Sequence, residues 1–370
     1  MKNLVYAILL IAVGGIFLSY QLFSNSNTLP IKPAKNVILM VGDGMGVSQI
    51  TAGLYSNNNY LALERCPVVG LMKTHSSNNK ITDSAAGATA FASGIKTYNG
   101  AIGVDADRNV VPTILEMAET SGLKTGLISS SSLTHATPAA FYTHNHKRAY
   151  INDSAITDFM TSGIEVFMGG GKHYFTTRDD SLDYWSLLPG MGYTVLDTIL
   201  DSVPLKTEKL ICLDAEKHML SIENGRGAFL PLAAEKGLQV LDYKNEKGFF
   251  MMIEGAQIDW GGHENNSSYI ISEMLDFDKT IANVLDFAAK DGNTLVIITA
   301  DHETGGYAVG YDNDADTVKG AFTSGYHTAA MVPVFAYGPG AEAFSGIIDN
   351  TDIFYKMVAA LGLSKPNVEQ

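Results

Sequence analysis

The chain has 370 residues, of which 46% are hydrophobic and 36 are glycine, and its formal net charge at pH 7 is −14. An acidic chain of this size argues against nucleic acid as a dedicated partner, because contacts to a phosphate backbone require a basic surface. Small phosphate substrates are not excluded, since bound metal cations would dominate the field around them. The length suits one large α/β domain or two smaller ones.

An uncharged apolar run near the N-terminus, residues 4–23, follows a single basic residue, Lys2. It predicts that residues 1–23 direct export to the periplasm or the extracellular space. The run just reaches the length of a transmembrane helix, so a cleaved signal peptide and a membrane anchor through residues 4–23 both remain open. Residues 24–35 are rich in Ser, Asn and Pro and are predicted to form a linker.

From residue 36 onward, short apolar runs alternate with longer amphipathic ones, as strands alternating with helices do. This order predicts an α/β fold, a three-layer αβα sandwich with a central, mostly parallel sheet. Strands are predicted at residues 36–41, 68–72, 124–129, 164–168, 248–253, 293–299 and 332–337. Helices are predicted at residues 47–55, 84–92, 112–120, 151–160, 227–240, 266–289 and 351–361. Residues 176–210 have weak periodicity and receive no assignment.

The two cysteines, Cys66 and Cys212, lie far apart in the sequence. In an exported protein they could form a disulfide bond. Two separate buried thiols are favoured, because free cysteine is among the residues most often found in protein interiors. Neither cysteine has the spacing of a metal-binding or redox motif.

Acidic and imidazole side chains directly follow three of the predicted strands. They are Asp43, Glu254 and the pair Asp301 and His302. Because the carboxyl ends of parallel strands meet at one edge of the sheet, we expect these side chains to lie close together. Carboxylates and imidazoles are ligands for Zn²⁺, and carboxylates also suit Mg²⁺. The sequence therefore predicts a site for several metal ions at this edge.

A second set of ligand types lies nearby in the sequence, at Asp259, His263 and His327. Asp259 and His263 are four residues apart with two glycines between them, which favours a loop wrapped around a metal over a regular helix. A capping aspartate and a surface histidine would explain that pair alone. The repeated Asp and His chemistry at residues 301–302 and the further imidazole of His327 favour metal binding.

Ser84 is the candidate nucleophile. It begins a predicted helix of small residues, whose free N–H groups favour an anion, and a bound metal could hold its alkoxide. No Gly-x-Ser-x-Gly motif surrounds it, so a serine hydrolase triad is not indicated. The alternative is that Asp83 or Ser84 only caps the helix. Thr137 could bind Mg²⁺ and Arg148 could bind phosphate oxygens, although alone they would be a turn residue and a surface charge.

In combination, these segments resemble the alkaline phosphatase family from residue 36 to the C-terminus. The resemblance implies an alkaline-phosphatase-like fold, with a catalytic domain at 36–370 that hydrolyses phosphate monoesters to phosphate and alcohol. It also implies a homodimer. The matching segments, in order, are Asp43-Gly44-Met45-Gly46, Thr82-Asp83-Ser84-Ala85-Ala86-Gly87-Ala88-Thr89-Ala90, His135-Ala136-Thr137-Pro138-Ala139-Ala140, Glu254-Gly255-Ala256-Gln257-Ile258-Asp259 with His263, Ala300-Asp301-His302-Glu303-Thr304-Gly305-Gly306, and Tyr326-His327-Thr328.

The resemblance further implies a role for each site residue and a complement of two Zn²⁺ and one Mg²⁺. Ser84 would become phosphoserine, and Arg148 would bind the phosphoryl oxygens. One Zn²⁺ would be held by Asp259, His263 and His327, and the other by Asp43, Asp301 and His302. The Mg²⁺ would be held by Asp43, Thr137 and Glu254. Two cations at such a site can stabilise both the attacking and the leaving oxygen of an in-line displacement.

Two positions near the third metal depart from some bacterial members of the family. His135 stands where those members have aspartate, and Trp260 stands where they have lysine. We expect a third site that is less strictly selective for Mg²⁺, and faster release of phosphate. The interval from His302 to His327 is only 25 residues (327 − 302), too short for the accessory domain of some members. The resemblance therefore implies an open site with little selection on the alcohol.

Three alternatives remain open. A sulfatase would have Cys or Ser followed by x-Pro-x-Arg at the nucleophile, whereas Ala85, Ala86 and Gly87 follow Ser84 here. A phosphodiesterase of the same superfamily would usually lack the third metal site, so Thr137 and Glu254 favour a monoesterase. An exported zinc- or phosphate-binding protein would need the ligands but no nucleophile.

Overall fold

The computed structural model describes residues 31–204, 206–310 and 318–364. The predicted export segment at 1–23 and the first part of the predicted linker, through residue 30, lie outside the described residues. Within the described ranges, no helix combines the length and the apolar character that crossing a bilayer requires. From Ile31 onward the chain forms one structural unit.

The strands are numbered in chain order. They are β1 (Asn36–Gly42), β2 (Val68–Lys73), β3 (Lys124–Ser132), β4 (Val166–Gly170), β5 (Tyr193–Leu196), β6 (Lys209–Leu213), β7 (Phe249–Gly255), β8 (Thr294–Thr299), β9 (Glu303–Thr304), β10 (Ala308–Val309), β11 (Gly320–Ala321), β12 (His327–Thr328), β13 (Val332–Tyr337) and β14 (Gly346–Asp349). Ten of them form the central sheet, in the order β14-β2-β13-β8-β1-β7-β3-β4-β6-β5. The pairs β10 with β11 and β9 with β12 form two small antiparallel ribbons.

Within the described part of the chain, β13 is the antiparallel member of the central sheet, and the other neighbouring strands run parallel. The prediction of a mostly parallel sheet is therefore confirmed. Every residue of β1, β7 and β8 is buried. These strands read as continuous apolar runs because helices cover both faces of the sheet.

The α-helices, also numbered in chain order, form the two outer layers. They are α1 (Val47–Tyr55), α2 (Ser84–Ser93), α3 (Ile114–Thr120), α4 (Ala136–Ala139), α5 (Ile151–Thr161), α6 (His173–Thr176), α7 (Phe229–Asp242), α8 (Gln257–His263), α9 (Ser267–Asp291) and α10 (Asn350–Ala360). Helix α9 packs on α1, α7 and α8, and α10 packs on α2 and α3. Among the described residues, short 3₁₀ helices span Ala62–Arg65, Arg148–Tyr150, Trp185–Met191 and Ala341–Phe344.

The long predicted strands and helices are found close to their expected positions, and the predicted αβα sandwich is confirmed. The stretch 176–210, which had no assignment, contains β5 and the start of β6. These strands of four and five residues are too short for their periodicity to be recognised. Cys66 and Cys212 are both free and buried, so the prediction of two separate thiols is confirmed.

Candidate active site

The polar side chains predicted to meet at the sheet edge do so. Strands β8, β1 and β7 are adjacent in the sheet. Asp43 follows the end of β1, Glu254 is the penultimate residue of β7, and Asp301 lies two residues beyond β8. None of the three has any exposed surface. Parallel strands thus bring three carboxylates from distant parts of the sequence to one buried position.

His327 reaches this edge through the small ribbon of β9 and β12. In that ribbon His327 is paired with Thr304, two residues after His302. The imidazoles of His327 and His302 consequently stack, with their ring centroids 3.5 Å apart and an angle of 17° between planes. The pairing of β12 with β9 therefore brings a further potential ligand to the site.

Potential metal ligands form three overlapping groups. In each group, one ligand atom per residue lies within 4.8 Å of the others. Among the described residues, the groups are Asp259, His302 and His327; Asp43, Asp301 and His302; and Asp43, His135 and Glu254. His263 adjoins the first group, because its Nε2 lies 3.4 Å from Asp259 Oδ2 and 3.2 Å from His327 Nε2.

Several buried oxygens at this edge have no hydrogen-bond donor among the residues described. They are both carboxylate oxygens of Asp43, Oε1 of Glu254 and the hydroxyl oxygen of Thr137. Leaving such a group buried and unpaired costs about 1–3 kcal/mol, and more for a charge. Oxygens of this kind in a cluster match the coordination preferences of Mg²⁺ and Zn²⁺. The residues present therefore fit metal ions.

The orientation of two imidazoles supports the same interpretation. Nδ1 of His263 lies 2.9 Å from the carbonyl oxygen of Gly325, and Nδ1 of His327 lies 2.9 Å from that of Thr82. A carbonyl accepts a hydrogen bond, so each Nδ1 carries a proton, and each ring in its neutral form presents a lone pair at Nε2. Two such lone pairs facing each other need a cation between them or a proton on one ring. Metal-binding histidines are commonly oriented in this way.

The charges within the cluster shift pKa values in opposite directions. Burial, together with the negative charges of Asp301, Asp259 and Glu254, raises the pKa of Asp43. Burial raises the pKa of Glu254 to about 7, although a hydrogen bond from Ser129 opposes it. Crowded carboxylates of this kind need compensating positive charge, which protons or metal cations can supply.

The pKa values of the two imidazoles shift in opposite directions, according to the groups beside each ring. The hydrogen bond with Asp259 raises the pKa of His263 to about 9. Burial, together with the neighbouring His302, lowers the pKa of His327 to about 4. His327 therefore remains neutral at physiological pH, as a metal ligand must be, and His263 would give up its proton when a metal binds.

The segment that carries Asp259 and His263 is a helix, α8, so the prediction of a loop is wrong. The two glycines serve packing rather than a turn. A Cβ atom on Gly261 would lie 2.8 Å from the backbone N of Ile270, and one on Gly262 would lie 2.8 Å from Cγ2 of Thr304. The glycines let α8 approach α9 and β9 closely, while the spacing of four residues keeps both ligands on one helical face.

Ser84 is the first residue of α2, and Asp83 is its N-cap. Oδ1 of Asp83 accepts a hydrogen bond from the backbone N–H of Ala86 at 3.0 Å. The Ser84 hydroxyl lies 3.4 Å from Nε2 of His302. Helix capping by Asp83 is therefore compatible with a nucleophilic role for Ser84, because the two roles fall on different residues. The ten-residue helix directs its N-terminus at the position where Ser84 lines the site.

Arg148 is turned towards this position, although its side chain is still 32% exposed. Its NH1 group donates to Oδ2 of Asp83 at 3.1 Å, and its NH2 group lies 3.3 Å from Nε2 of His135. Arg148 and Ser84 line one cavity of about 350 Å³. The other residues lining it are Asp83, His135, Asp259, Trp260, His263, Tyr326 and His327. The cavity thus combines a serine hydroxyl, a guanidinium group and potential metal ligands.

His135, a member of the third ligand group, lies beside Trp260. Their rings meet edge to face, with centroids 6.2 Å apart. Burial, with the positive charge of Arg148 and the neighbouring His218, lowers the pKa of His135 to about 3. His135 is therefore a neutral ring at physiological pH. It contributes no negative charge at a position where an aspartate would contribute one.

Comparison with known proteins identifies the family. The family model described as alkaline phosphatase matches residues 34–186, 230–323 and 310–363. The chain belongs to the alkaline phosphatase family. It is 34% identical to alkaline phosphatase 3 of Bacillus subtilis, over 88% of this chain and 89% of that protein. It is 33% identical to the alkaline phosphatase of Escherichia coli K12, over 91% of this chain and 88% of that protein.

A solved structure supports the same assignment. The alkaline phosphatase of the Antarctic bacterium TAB5 is 44% identical to this chain, covers 90% of it over 99% of its own length, and superposes with a TM-score of 0.85. Two variants of that enzyme, in which a histidine is replaced by glutamate or aspartate, have Mg bound in the M3 site. With this fold and family, the chain is an alkaline phosphatase hydrolase, and its reaction is the hydrolysis of phosphate monoesters.

Two positioning elements were not recognised in the sequence: the pairing of Asp83 with Arg148, and the turn of Asn99 and Gly100. The Asn99 side chain accepts from the N–H of Asp83 at 3.3 Å and donates to the carbonyl of Ile81 at 2.9 Å. Gly100 donates to Oδ1 of Asp83 at 3.0 Å, and its carbonyl accepts the N–H of Arg148 at 2.8 Å. The Asn-Gly pair is a turn signal in sequence, but nothing in it reveals which segments the turn holds together.

Asn99→Ala is expected to lower kcat/KM for a phosphate monoester about ten-fold, mainly through a higher KM, since a lost hydrogen-bonded clamp costs about 1–1.5 kcal/mol. The loss would loosen the segment before Ser84 relative to the segment that carries Arg148. Steady-state kinetics with inorganic phosphate as competitive inhibitor measures the effect. The matched control is Asn57→Ala, because Asn57 also closes a turn, through the carbonyl of Tyr60 at 2.8 Å. Equal kinetics in both variants would show that Asn99 serves folding alone.

Proposed function

We propose that this enzyme cleaves phosphate monoesters through a covalent phosphoserine at Ser84, assisted by two Zn²⁺ and one Mg²⁺. The observation that carries the proposal is the cavity in which the Ser84 hydroxyl, the Arg148 guanidinium and the N-terminus of α2 meet beside the ligand groups. A serine hydroxyl needs activation to act as a nucleophile. A planar guanidinium can bind two oxygens of a phosphoryl group at once.

The proposed metal ligands follow from the groups of side chains. Two zinc ions would be held by Asp259, His263 and His327, and by Asp43, Asp301 and His302. Magnesium would be held by Asp43, Thr137 and Glu254. When bound, these metals stabilise charge on the ester oxygens and favour the ionised form of a nearby hydroxyl. The hydrogen bonds from His263 to Gly325 and from His327 to Thr82 fix the two rings for this role.

The chain's own groups then account for the covalent steps. Arg148, held by Asp83, would bind two phosphoryl oxygens and align the phosphorus with Ser84. The Ser84 hydroxyl would give up its proton to solvent, its oxygen would form a bond to phosphorus as the bond to the ester oxygen breaks, and the departing oxygen would take up a proton from water to leave as the alcohol. Water would then attack phosphoserine from the side that the alcohol vacated, releasing phosphate and restoring the hydroxyl of Ser84.

The test is hydrolysis of 4-nitrophenyl phosphate from neutral to strongly alkaline pH, before and after chelation, with Zn²⁺ and Mg²⁺ added back. We expect alkaline activity that is lost on chelation and that needs both metals for full recovery. The rate of hydrolysis of a 4-nitrophenyl phosphate diester under the same conditions should be far lower than that of the monoester. Activity that survives complete metal removal, or a preference for the diester, would contradict the proposal.

A separate prediction concerns the proposed magnesium site, because His135 lies in one ligand group with Asp43 and Glu254. His135→Asp combined with Trp260→Lys is expected to tighten Mg²⁺ binding and inhibition by phosphate, each by about ten-fold, as changes beside a metal commonly do. The Mg-bound variants of the Antarctic enzyme support the first effect. Metal content after dialysis and the inhibition constant of phosphate measure the two effects. Unchanged values for both would contradict the prediction.

Assembly and location remain proposals. We propose a homodimer, which sedimentation velocity of the purified enzyme would test. We also propose export directed by residues 1–23, since these residues have the composition of a signal peptide or membrane anchor. Fractionation of cells that express the full chain, followed by mass spectrometry of the mature N-terminus, would separate cleavage from anchoring.

A further inference from the structure

The position of Tyr326 bears on which alcohols the enzyme releases. This inference rests on the proposed function, in which Ser84 displaces the alcohol in line. An in-line displacement places the leaving oxygen opposite the attacking oxygen. The Ser84 hydroxyl lies on the side of His302, at 3.4 Å from its Nε2. The alcohol must therefore depart on the side of His327 and His263.

Three aromatic rings are stacked in sequence from the nucleophile outward. His302 lies 3.5 Å from His327 between ring centroids, and the Tyr326 ring lies 4.3 Å from His327 with an angle of only 3° between planes. Tyr326 also contacts the ring of His263, at 5.8 Å between centroids. The outermost ring thus belongs to Tyr326, directly beside the two histidines next to which the alcohol departs.

The Tyr326 side chain is exposed to solvent, although it stacks on a buried histidine. It is 49% exposed, whereas its stacking partner His327 is 5% exposed. It also lines the cavity that contains Ser84 and Arg148, together with the indole of Trp260. An ester whose phosphoryl group occupies this cavity would extend its alcohol past an aromatic ring. The site therefore offers a surface on which a flat substrate group can stack.

We propose that Tyr326 is a specificity-determining residue that contacts the alcohol portion of the substrate and favours aryl over alkyl phosphate monoesters. Aromatic pairs gain energy beyond their buried area through offset stacking or edge-to-face contact, which corresponds to a preference of about three- to ten-fold. Phosphorylated tyrosine side chains and phenolic esters have this chemistry, whereas glycerol and ethyl phosphates do not. The proposal departs from the expectation of little selection on the alcohol.

The first experiment compares kcat/KM for phenyl phosphate with that for ethyl phosphate in the metal-loaded enzyme. The parameter kcat/KM is chosen because it includes the step that releases the alcohol and excludes later release of phosphate. We expect Tyr326→Ala to lower the ratio of phenyl to ethyl phosphate about three- to ten-fold, and Tyr326→Phe to keep it. Tyr60→Ala is the matched control, since Tyr60 is 52% exposed and lies outside the cavity.

The second experiment measures binding without turnover. Calorimetric titration with phenylphosphonate and methylphosphonate should show that Tyr326→Ala loses affinity for the phenyl compound alone. Zinc content and inhibition by inorganic phosphate should stay unchanged, which separates stacking from support of His327. Equal losses of affinity for the phenyl and methyl phosphonates, equal losses of kcat/KM for phenyl and ethyl phosphate, or loss of zinc would overturn the proposal. If the unmodified enzyme hydrolyses neither ester with metals present, the proposed function itself fails.

Discussion

Ser84→Ala is expected to remove turnover of phosphate monoesters almost completely while leaving metal and phosphate binding in place. Loss of a covalent nucleophile lowers kcat by a factor on the order of 10⁴ to 10⁶. The substitution removes a single oxygen from a residue that is 3% exposed, and Asp83, which caps α2, is unchanged. The substitution removes the 3.4 Å contact between the hydroxyl and Nε2 of His302, but it leaves the N-cap of the helix and the ligand side chains in place.

The measurement combines kinetics, metal analysis and chemical trapping. Acid quenching during turnover, followed by mass spectrometry, should find phosphate on the peptide containing Ser84 in the unmodified enzyme only. Ser93→Ala is the matched control, because Ser93 is a buried serine at the other end of the same helix, with a hydroxyl that has no partner among the described residues. Full activity in the Ser84 variant would exclude the phosphoserine, whereas equal inactivation of both variants would indicate damage to α2.

Much of the candidate site could be predicted because its acidic residues lie at the ends of strands that are recognisable in the sequence. Asp43, Glu254 and Asp301 each follow an apolar run, and a parallel sheet brings such ends to one edge. The burial of these acids among apolar strands leaves few roles other than binding a cation. The resemblance then added the roles of Thr137 and Arg148, which spacing alone does not distinguish from ordinary turn and surface residues.

Other features could not be predicted, because they depend on packing between distant segments. The glycines of α8 suggested a loop, but they permit close contact with Ile270 and Thr304. Whether a glycine bends the chain or admits a neighbour is decided by tertiary structure. The same is true of Asn99, whose partners at residues 81–83 become visible only once the two segments are folded together.

Asp43→Asn is expected to lower activity by about 10²-fold or more, because Asp43 belongs to two of the three ligand groups. The same substitution is expected to have opposite effects on thermal stability with and without metals. In the metal-free protein, the negative charges of Asp301, Asp259 and Glu254 raise the pKa of Asp43, together with burial. Removing one charge relieves that repulsion, and the new amide can donate to a neighbouring carboxylate.

Thermal unfolding of the two proteins, each metal-free and metal-loaded, measures this reversal. We expect Asp43→Asn to unfold a few degrees higher than the unmodified protein without metals, and lower with them, since bound ligands stabilise only the fold that binds them. A carboxyl group whose pKa is raised in the folded state costs stability as pH rises. The metal-free difference should therefore grow from acidic to neutral pH.

The matched control is Asp286→Asn, which removes the same charge from a side chain that is 73% exposed and paired with Arg65. This variant should bind as much metal as the unmodified protein. Its difference in unfolding temperature from the unmodified protein should have the same sign with and without metals. A shift of the same sign in both metal states for Asp43→Asn would contradict the argument. In that case Asp43 would stabilise the fold by itself, and its unpaired oxygens would not be a metal site. The reversal of sign, rather than the loss of activity, would identify Asp43 as a residue whose stabilising partner is a cation.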